Sequence, residues 1–341
     1  MDNDIEKISQ FGDNGLINKI TKDFVNKKES TIKGIGNDAA VIDNGDRLTL
    51  VSNDLLLQGI HFNLIYYPLK HLGYKAVIRG LSDIYAMNGT PNQIILSIGF
   101  SGKFPTEAIE ELYEGARIAC ERYKVDLVGG DTTGSLTGLT ISVTAIGSVD
   151  KKDLVTRDGA NTNDLICVTG DLGSAYIGLQ ILEREKRIFE SVNGGQPDLS
   201  DAQYVIGRQL KPEIPVKTLE ALREAGVTFT SMIDVTNGLA SDIMQICKAS
   251  AKGCKIFQDR IPIDYETIRL TEELNLESLI PALNGGDDFE MLFTVPLSQH
   301  NIVDQIKNVT VIGHITDKDT GMYLVGAGET KVHLSAPGWS E

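Results

Sequence analysis

Four cysteines stand at positions 120, 167, 247 and 254 of the 341 residues, and no two form a C-x-x-C pair. That leaves no zinc or disulfide framework, so the thiols read as small buried residues of a reducing compartment. Long apolar runs are absent too. The longest, such as "QIILSIGF", are far too short to span a bilayer. The opening stretch "MDNDIEKISQFG" is acidic and polar, unlike a signal peptide, and the expected location is the cytoplasm. Positive charge is scarce: 32 basic against 47 acidic residues give −15. This excludes nucleic acid or an anionic membrane as the main partner and suits a protein that recruits cations.

What is present is an α/β chain long enough for two domains. "RLTLVS" (47–52) reads as a strand running into Asn53-Asp54. Apolar positions at Leu72, Ala76, Val77, Leu81 and Ile84 predict a helix over 71–88. "NQIILSIGF" is a buried strand, 105–123 a helix opened by Pro105 and Thr106, and "VDLVGG" and "LTISVTAIGSV" two further strands. The polar stretch 150–164 marks a junction, dividing the chain into 1–149 and 150–341. Beyond it "LICVTG" is a strand and "SAYIGLQILERE" a helix. The glycine turn 170–173 between them makes that helix N-terminus a competent anion site. "FEMLFTV" and "VTVIGHIT" are later strands.

Between two of these strands lies "LVGGDTTGS". Gly129 and Gly134 bracket four residues as in a phosphate-binding loop, but Ser135-Leu136 follows where lysine and a hydroxyl residue would be needed. Asp131 stands there instead, so the loop reads as one that meets a metal. Other aspartates fall at turns or strand ends: Asp38, Asp54 and Asp234, with Asp287, Asp288 and Glu290 in "GGDDFE". Singly, each has a structural explanation as a cap or Asx turn. Asp83 is harder to explain that way, because a carboxylate inside an apolar helix is costly unless paired or metal-bound. Carboxylates delivered by strand ends of an α/β fold converge on one edge. Hard oxygen donors without cysteine support favour magnesium, completed by water and substrate phosphate.

No nucleophile–base pair stands out, and His61 is the only histidine flanked by this chemistry. Phosphoryl transfer needs positioning and charge neutralisation more than covalent help, so the pattern suits two phosphates brought together over several magnesium ions. Arg157, in the junction, is the guanidinium placed for a phosphate, or a solvated linker residue.

The segments "GIGNDAAVI", "SNDLLLQGIHF", "GLSDIYAMNGTP", "LVGGDTTGS", "VTGDLGSAYIGL", "MIDVTNGLASDI" and "NGGDDFEMLFTV" come in an order and spacing that resembles the thiamine-monophosphate kinases, from about residue 10 to Trp339. The resemblance implies a two-domain aminoimidazole ribonucleotide synthetase-like fold. Its N-terminal domains pair in a homodimer, with ATP bound near the interface. It also implies phosphorylation of thiamine monophosphate to thiamine diphosphate by direct in-line transfer from ATP with Mg2+. Carried over by position, Asp38, Asp54, Asp83, Asp131 and Asp234 match magnesium ligands, Asp54, Asp131 and Asp234 being the catalytic ones. Ser52 and Asn53 fill an "S-T-D" segment in which threonine is usual. Asn237 stands where the family has another metal-binding aspartate. Tyr113, Gly130, Asp131, Arg157 and Thr236 match nucleotide contacts. His61, Asp287 (usually glutamate) and Trp339 match substrate contacts, the lone indole suiting a thiazolium cation. Asn237 is otherwise a cap for the helix beginning near Gly238, and Asp242, a turn onward, a source of compensating charge. The alternatives are another ATP-dependent enzyme of the superfamily, or a non-catalytic regulator that binds nucleotide or thiamine phosphate.

Overall fold

The computed structural model describes residues 12–191 and 199–336, and Trp339 lies outside them. Two seven-stranded sheets follow one another along the chain. The first contains β1 (Thr31–Lys33), β2 (Ala40–Asp43), β3 (Leu48–Leu57), β4 (Thr90–Phe100), β5 (Asp126–Gly129), β6 (Thr132–Gly134) and β7 (Thr140–Val149). Its order is β1-β2-β3-β7-β4-β5, with β6 also paired to β4. The second contains β8 (Leu165–Thr169), β9 (Ser231–Asp234), β10 (Lys252–Phe257), β11 (Met291–Val295), β12 (Val309–Asp317), β13 (Met322–Val325) and β14 (Lys331–His333). Its order is β14-β13-β10-β12-β8-β11-β9.

The helices that place the site are α1 (Gly12–Thr21), α2 (Leu69–Ala86), α3 (Thr106–Tyr123), α4 (Ser174–Ser191), α5 (Gln203–Leu210), α6 (Val216–Glu224) and α7 (Leu239–Ala249). Among the described residues, no helix is long and apolar enough to cross a membrane. On the first sheet Leu50, Leu56, Ile94, Leu96 and Val143 alternate inward and bury against Leu72, Val77, Leu81 and Ile84 of α2. The same core continues through Cys167, Met232 and Phe293 of the second sheet, so α2 is covered on both sides. Ile166, Val168, Ile233 and Leu292 face a second core, which is why β8 and β11 read as unbroken apolar runs.

Two expectations change. Asp54 is not at a strand end: β3 keeps its pairing with β7 as far as Leu57, so the aspartate is mid-strand. The loop expected between the strands "VDLVGG" and "LTISVTAIGSV" is itself partly strand: β6 follows β5 along the sheet edge, both running parallel to β4. Between β5 and β6 falls Gly130, where a Cβ would lie 2.0 Å from the Leu96 carbonyl oxygen. No side chain fits there.

Candidate active site

Asp38, Asp83 and Asp234 offer carboxylate oxygens that all lie within 4.8 Å of one another. Three different elements deliver them. Asp38 lies in the turn before β2, Asp83 follows the buried face of α2, and Asp234 ends β9. Asp38 and Asp234 are buried and Asp83 half-buried. Burial pushes the Asp83 carboxyl well up, and Asp234, Asp54 and Asp38 push it further. Asp234 is raised likewise, by burial and then Asp38, against a hydrogen bond from the Ser82 hydroxyl. Like charges this close are relieved by proton or cation. All the donors are hard oxygens, and Oδ2 of Asp54 is buried without a hydrogen-bond partner among the described residues. Both features fit magnesium.

Two guanidiniums border the group. Arg157 makes a bidentate pair with Asp38, Nε to Oδ2 at 3.0 Å and Nη2 to Oδ1 at 2.6 Å, and its Nη1 donates to Gln245. Arg79 donates from Nε to Asp54 Oδ1 and from Nη1 to Asp287 Oδ1, both at 3.0 Å. Asp287 also takes Lys75 Nζ at 2.9 Å. Burial works against the Asp287 charge, yet Lys75 and Arg79 hold its carboxyl below the usual range. Beside this trio, His61 accepts the Leu57 N–H on Nδ1 at 3.0 Å, and burial and Arg79 lower its pKa. The ring is therefore neutral with its proton on Nε2.

Other expected residues lie apart from the aspartate group. Ser52 is buried and donates to the Gly80 carbonyl. Strand alternation turns Asn53 to the opposite face, where its amide bonds Ser142, Val143 and Thr144. Gly130 and Asp131 are separated from Asp54 by β7 and β4, about 14 Å at ordinary strand spacing. Near that edge, Tyr113 lines a groove of about 800 Å³ with Arg117, Cys120, Lys124 and Leu127. The expected nucleotide residues thus form two groups, Tyr113, Gly130 and Asp131 at the sheet edge and Arg157 and Thr236 beside the second sheet.

Three local readings are corrected. Asn237 does not cap α7, since Gly238 holds that position. Asp242 is fully buried and accepts from the N–H groups of Thr236 and Asn237 and from the Asn237 amide, so it locks this turn rather than joining the carboxylate group. The helix N-terminus after the glycine turn is filled from within, by the Asp288 carboxylate on the Gly173 N–H at 2.9 Å and the Ala175 N–H at 3.5 Å. Lys75 and Arg79 were missed. Their signal is a stripe at i, i+4 and i+7 of α2, completed by Ser82.

An acidic group able to hold a metal ion, beside basic residues on such a fold, is the arrangement of a phosphate-handling protein. Residues 36–149 match the family of AIR synthase related protein, N-terminal domain. The thiamine-monophosphate kinase of Buchnera aphidicola subsp. Schizaphis graminum is 31% identical over 93% of this chain and 94% of its own. That of Bacillus subtilis is 29% identical over 95% and 98%. AaThiL complexed with AMPPCP and TMP superposes with a TM-score of 0.82 at 26% identity, covering 96% of both chains. The chain belongs to the thiamine-monophosphate kinase family.

Proposed function

We propose that this chain transfers the terminal phosphoryl group of ATP to thiamine monophosphate, giving ADP and thiamine diphosphate. The observation that carries the reading is the carboxylate group of Asp38, Asp83 and Asp234, in a chain whose relatives bear that activity as their name. Asp38, Asp54, Asp83 and Asp234 would hold Mg2+ with Asn237 beside them, while Ser52 and Asn53, turned to other partners, and Asp131, at the far sheet edge, stand outside this set. The ions supply charge neutralisation between two anionic phosphates. Tyr113, Gly130, Asp131, Arg157 and Thr236 serve the nucleotide. An oxygen of the acceptor phosphate attacks the γ-phosphorus in line, and the bond to ADP breaks. The acceptor is already ionised, so no residue need act as a strong base.

At the other end Asp287, kept ionised by Lys75 and Arg79, matches the cationic thiazolium. His61 donates from Nε2, and the Trp339 indole stacks. The halves 1–149 and 150–341 act as two domains, the first pairing in a cytoplasmic homodimer. ADP release, followed with thiamine monophosphate as acceptor, tests the reading. Turnover is expected to need both the acceptor and Mg2+, and to stop in excess chelator. Release indifferent to thiamine monophosphate sinks it.

A further inference from the structure

Lys75 and Arg79 lie one turn apart on α2, but they are held differently. Lys75 is fully buried, bonds the Gln209 carbonyl at 3.0 Å and sits against the rings of Tyr67 and Phe289. Its place is fixed by the fold. The Arg79 side chain is 19% exposed, and its Nε and Nη1 rest on two carboxylates, Asp54 and Asp287. Both carboxylates have other work in the proposed reaction, Asp54 with cations and Asp287 with thiamine. The second oxygen of Asp54 is buried without a partner, so that carboxylate is only half satisfied by the guanidinium. Nη2 of Arg79 bonds neither carboxylate.

Arg157 repeats the arrangement across the group, resting on Asp38 with 17% of its side chain exposed. Arg157 thus balances one aspartate, Asp38, and Arg79 two, Asp54 and Asp287, at the border of Asp38, Asp83 and Asp234. We infer that Arg79 is a substrate-contacting residue that binds the phosphate of thiamine monophosphate, and that its rest on Asp54 and Asp287 is the ligand-free position. This rests on the thiamine-phosphate kinase reading and goes beyond it by naming the side chain that receives the acceptor phosphate. The position is the required one. Thiamine held at Asp287 and His61, with cations at Asp54, leaves its phosphate between them, where Arg79 stands.

Charge also balances in the exchange. The thiazolium takes over as counter-ion to Asp287, and Asp54 turns to a divalent cation. The guanidinium is released to a dianion that its planar fork fits better than a lysine ammonium does. Without a fixed cation, a phosphate dianion would meet carboxylates on several sides.

Equilibrium dialysis of full-length protein against thiamine monophosphate, and separately against unphosphorylated thiamine, tests this with wild type, Arg79→Gln and Arg79→Lys. Arg79→Gln is expected to weaken thiamine monophosphate binding at least tenfold while thiamine binding and the KM for ATP move less than twofold. Arg79→Lys should recover part of the lost affinity. Unchanged thiamine monophosphate binding in Arg79→Gln overturns the proposal. So does an equal loss for both ligands, the signature of a structural role. Should Arg79→Gln fail to fold by urea titration, Arg79→Lys decides by the same criterion, a loss confined to the phosphorylated ligand. Wild-type protein that binds no thiamine monophosphate overturns the kinase reading itself and this proposal with it. A binding wild type with an indifferent Arg79 variant overturns this proposal alone.

Discussion

Asp83 and Asp234 meet Asp38 where α2 approaches β9, and burial pushes both of their carboxyls up. A site that repels itself costs the empty protein stability and attracts a cation. Asp83→Asn is therefore expected to raise the urea midpoint of metal-free protein, by about 1 kcal/mol of unfolding free energy. Turnover should fall at least tenfold in the same variant. A fall in both would mark Asp83 as a packing residue. Asn237 is exposed on its turn and presents an amide, so Asn237→Asp adds a carboxylate to the proposed ligand set. The magnesium concentration for half-maximal turnover is expected to drop severalfold, and an unmoved value removes Asn237 from that set. The aspartates were legible in the sequence because each sits beside glycine, at a chain reversal or in an apolar setting that makes it conspicuous. Arg79 was not, because arginine on a helix ordinarily reads as surface and its partner Asp287 is 208 positions away. Asn53 misled for another reason: adjacency to Asp54 in sequence means opposite faces in a strand.

The helices and strands themselves followed from apolar spacing, since α3, β4 and β7 each bury one regular face and α2 is buried nearly all round. What spacing does not carry is how closely two elements approach. At the α2–α3 crossing a Cβ on Gly73 would lie 1.8 Å from the Leu112 carbonyl oxygen, and one on Gly115 1.7 Å from that of Lys70. Backbone meets backbone there. Gly115→Ala is expected to cost about 2 kcal/mol in urea unfolding through overpacking. Because α2 carries Lys75, Arg79, Ser82 and Asp83, turnover should fall as well; unchanged stability would mean the helices separate freely. The glycine turn before α4 looked like a free anion site because the residue that fills it, Asp288, is remote in sequence. Burial raises the Asp288 carboxyl to about 7, against the pull of Arg208 and the Gly173 N–H. The folded pKa lies above the unfolded one, so the native state holds an extra proton between about pH 4 and 7. Stability from this group is complete below that window and is lost as the pH rises through about 7. Asp288→Asn should therefore flatten the decline of unfolding free energy between about pH 4 and 7, by up to about 1.4 kcal/mol per pH unit. Equal slopes in variant and wild type would refute the assignment.

At the scale of the molecule, the first sheet carries α2 on one face, and among the described residues Asn53 and Leu55 are exposed on the other. Asn53, Ser142 and Thr144 share that second face, and by alternation Leu55, 51% exposed, lies on it with Asn53. Along the nearby edge, Leu127 and Val128 of β5 are exposed too. An apolar and hydroxyl-rich sheet face of this kind suits a second copy of itself, related by a two-fold axis. Opposing that pairing is the charge of −15 on each chain, a repulsion that salt screens within roughly 8–10 Å at ordinary ionic strength. Two consequences follow for sedimentation measurements. The protein is expected to run as a dimer at 150 mM salt and to dissociate measurably as salt is lowered, the reverse of a dimer held by ion pairs. Leu55→Arg, placing a cation on this face of both copies, should give monomer at the same concentration. Its circular dichroism should stay at the wild-type level, because the side chain contacts solvent rather than core in the single chain. A Leu55→Arg protein that still sediments as a dimer would move the pairing to another surface, and a wild type that stays monomeric at every salt concentration would end the dimer reading.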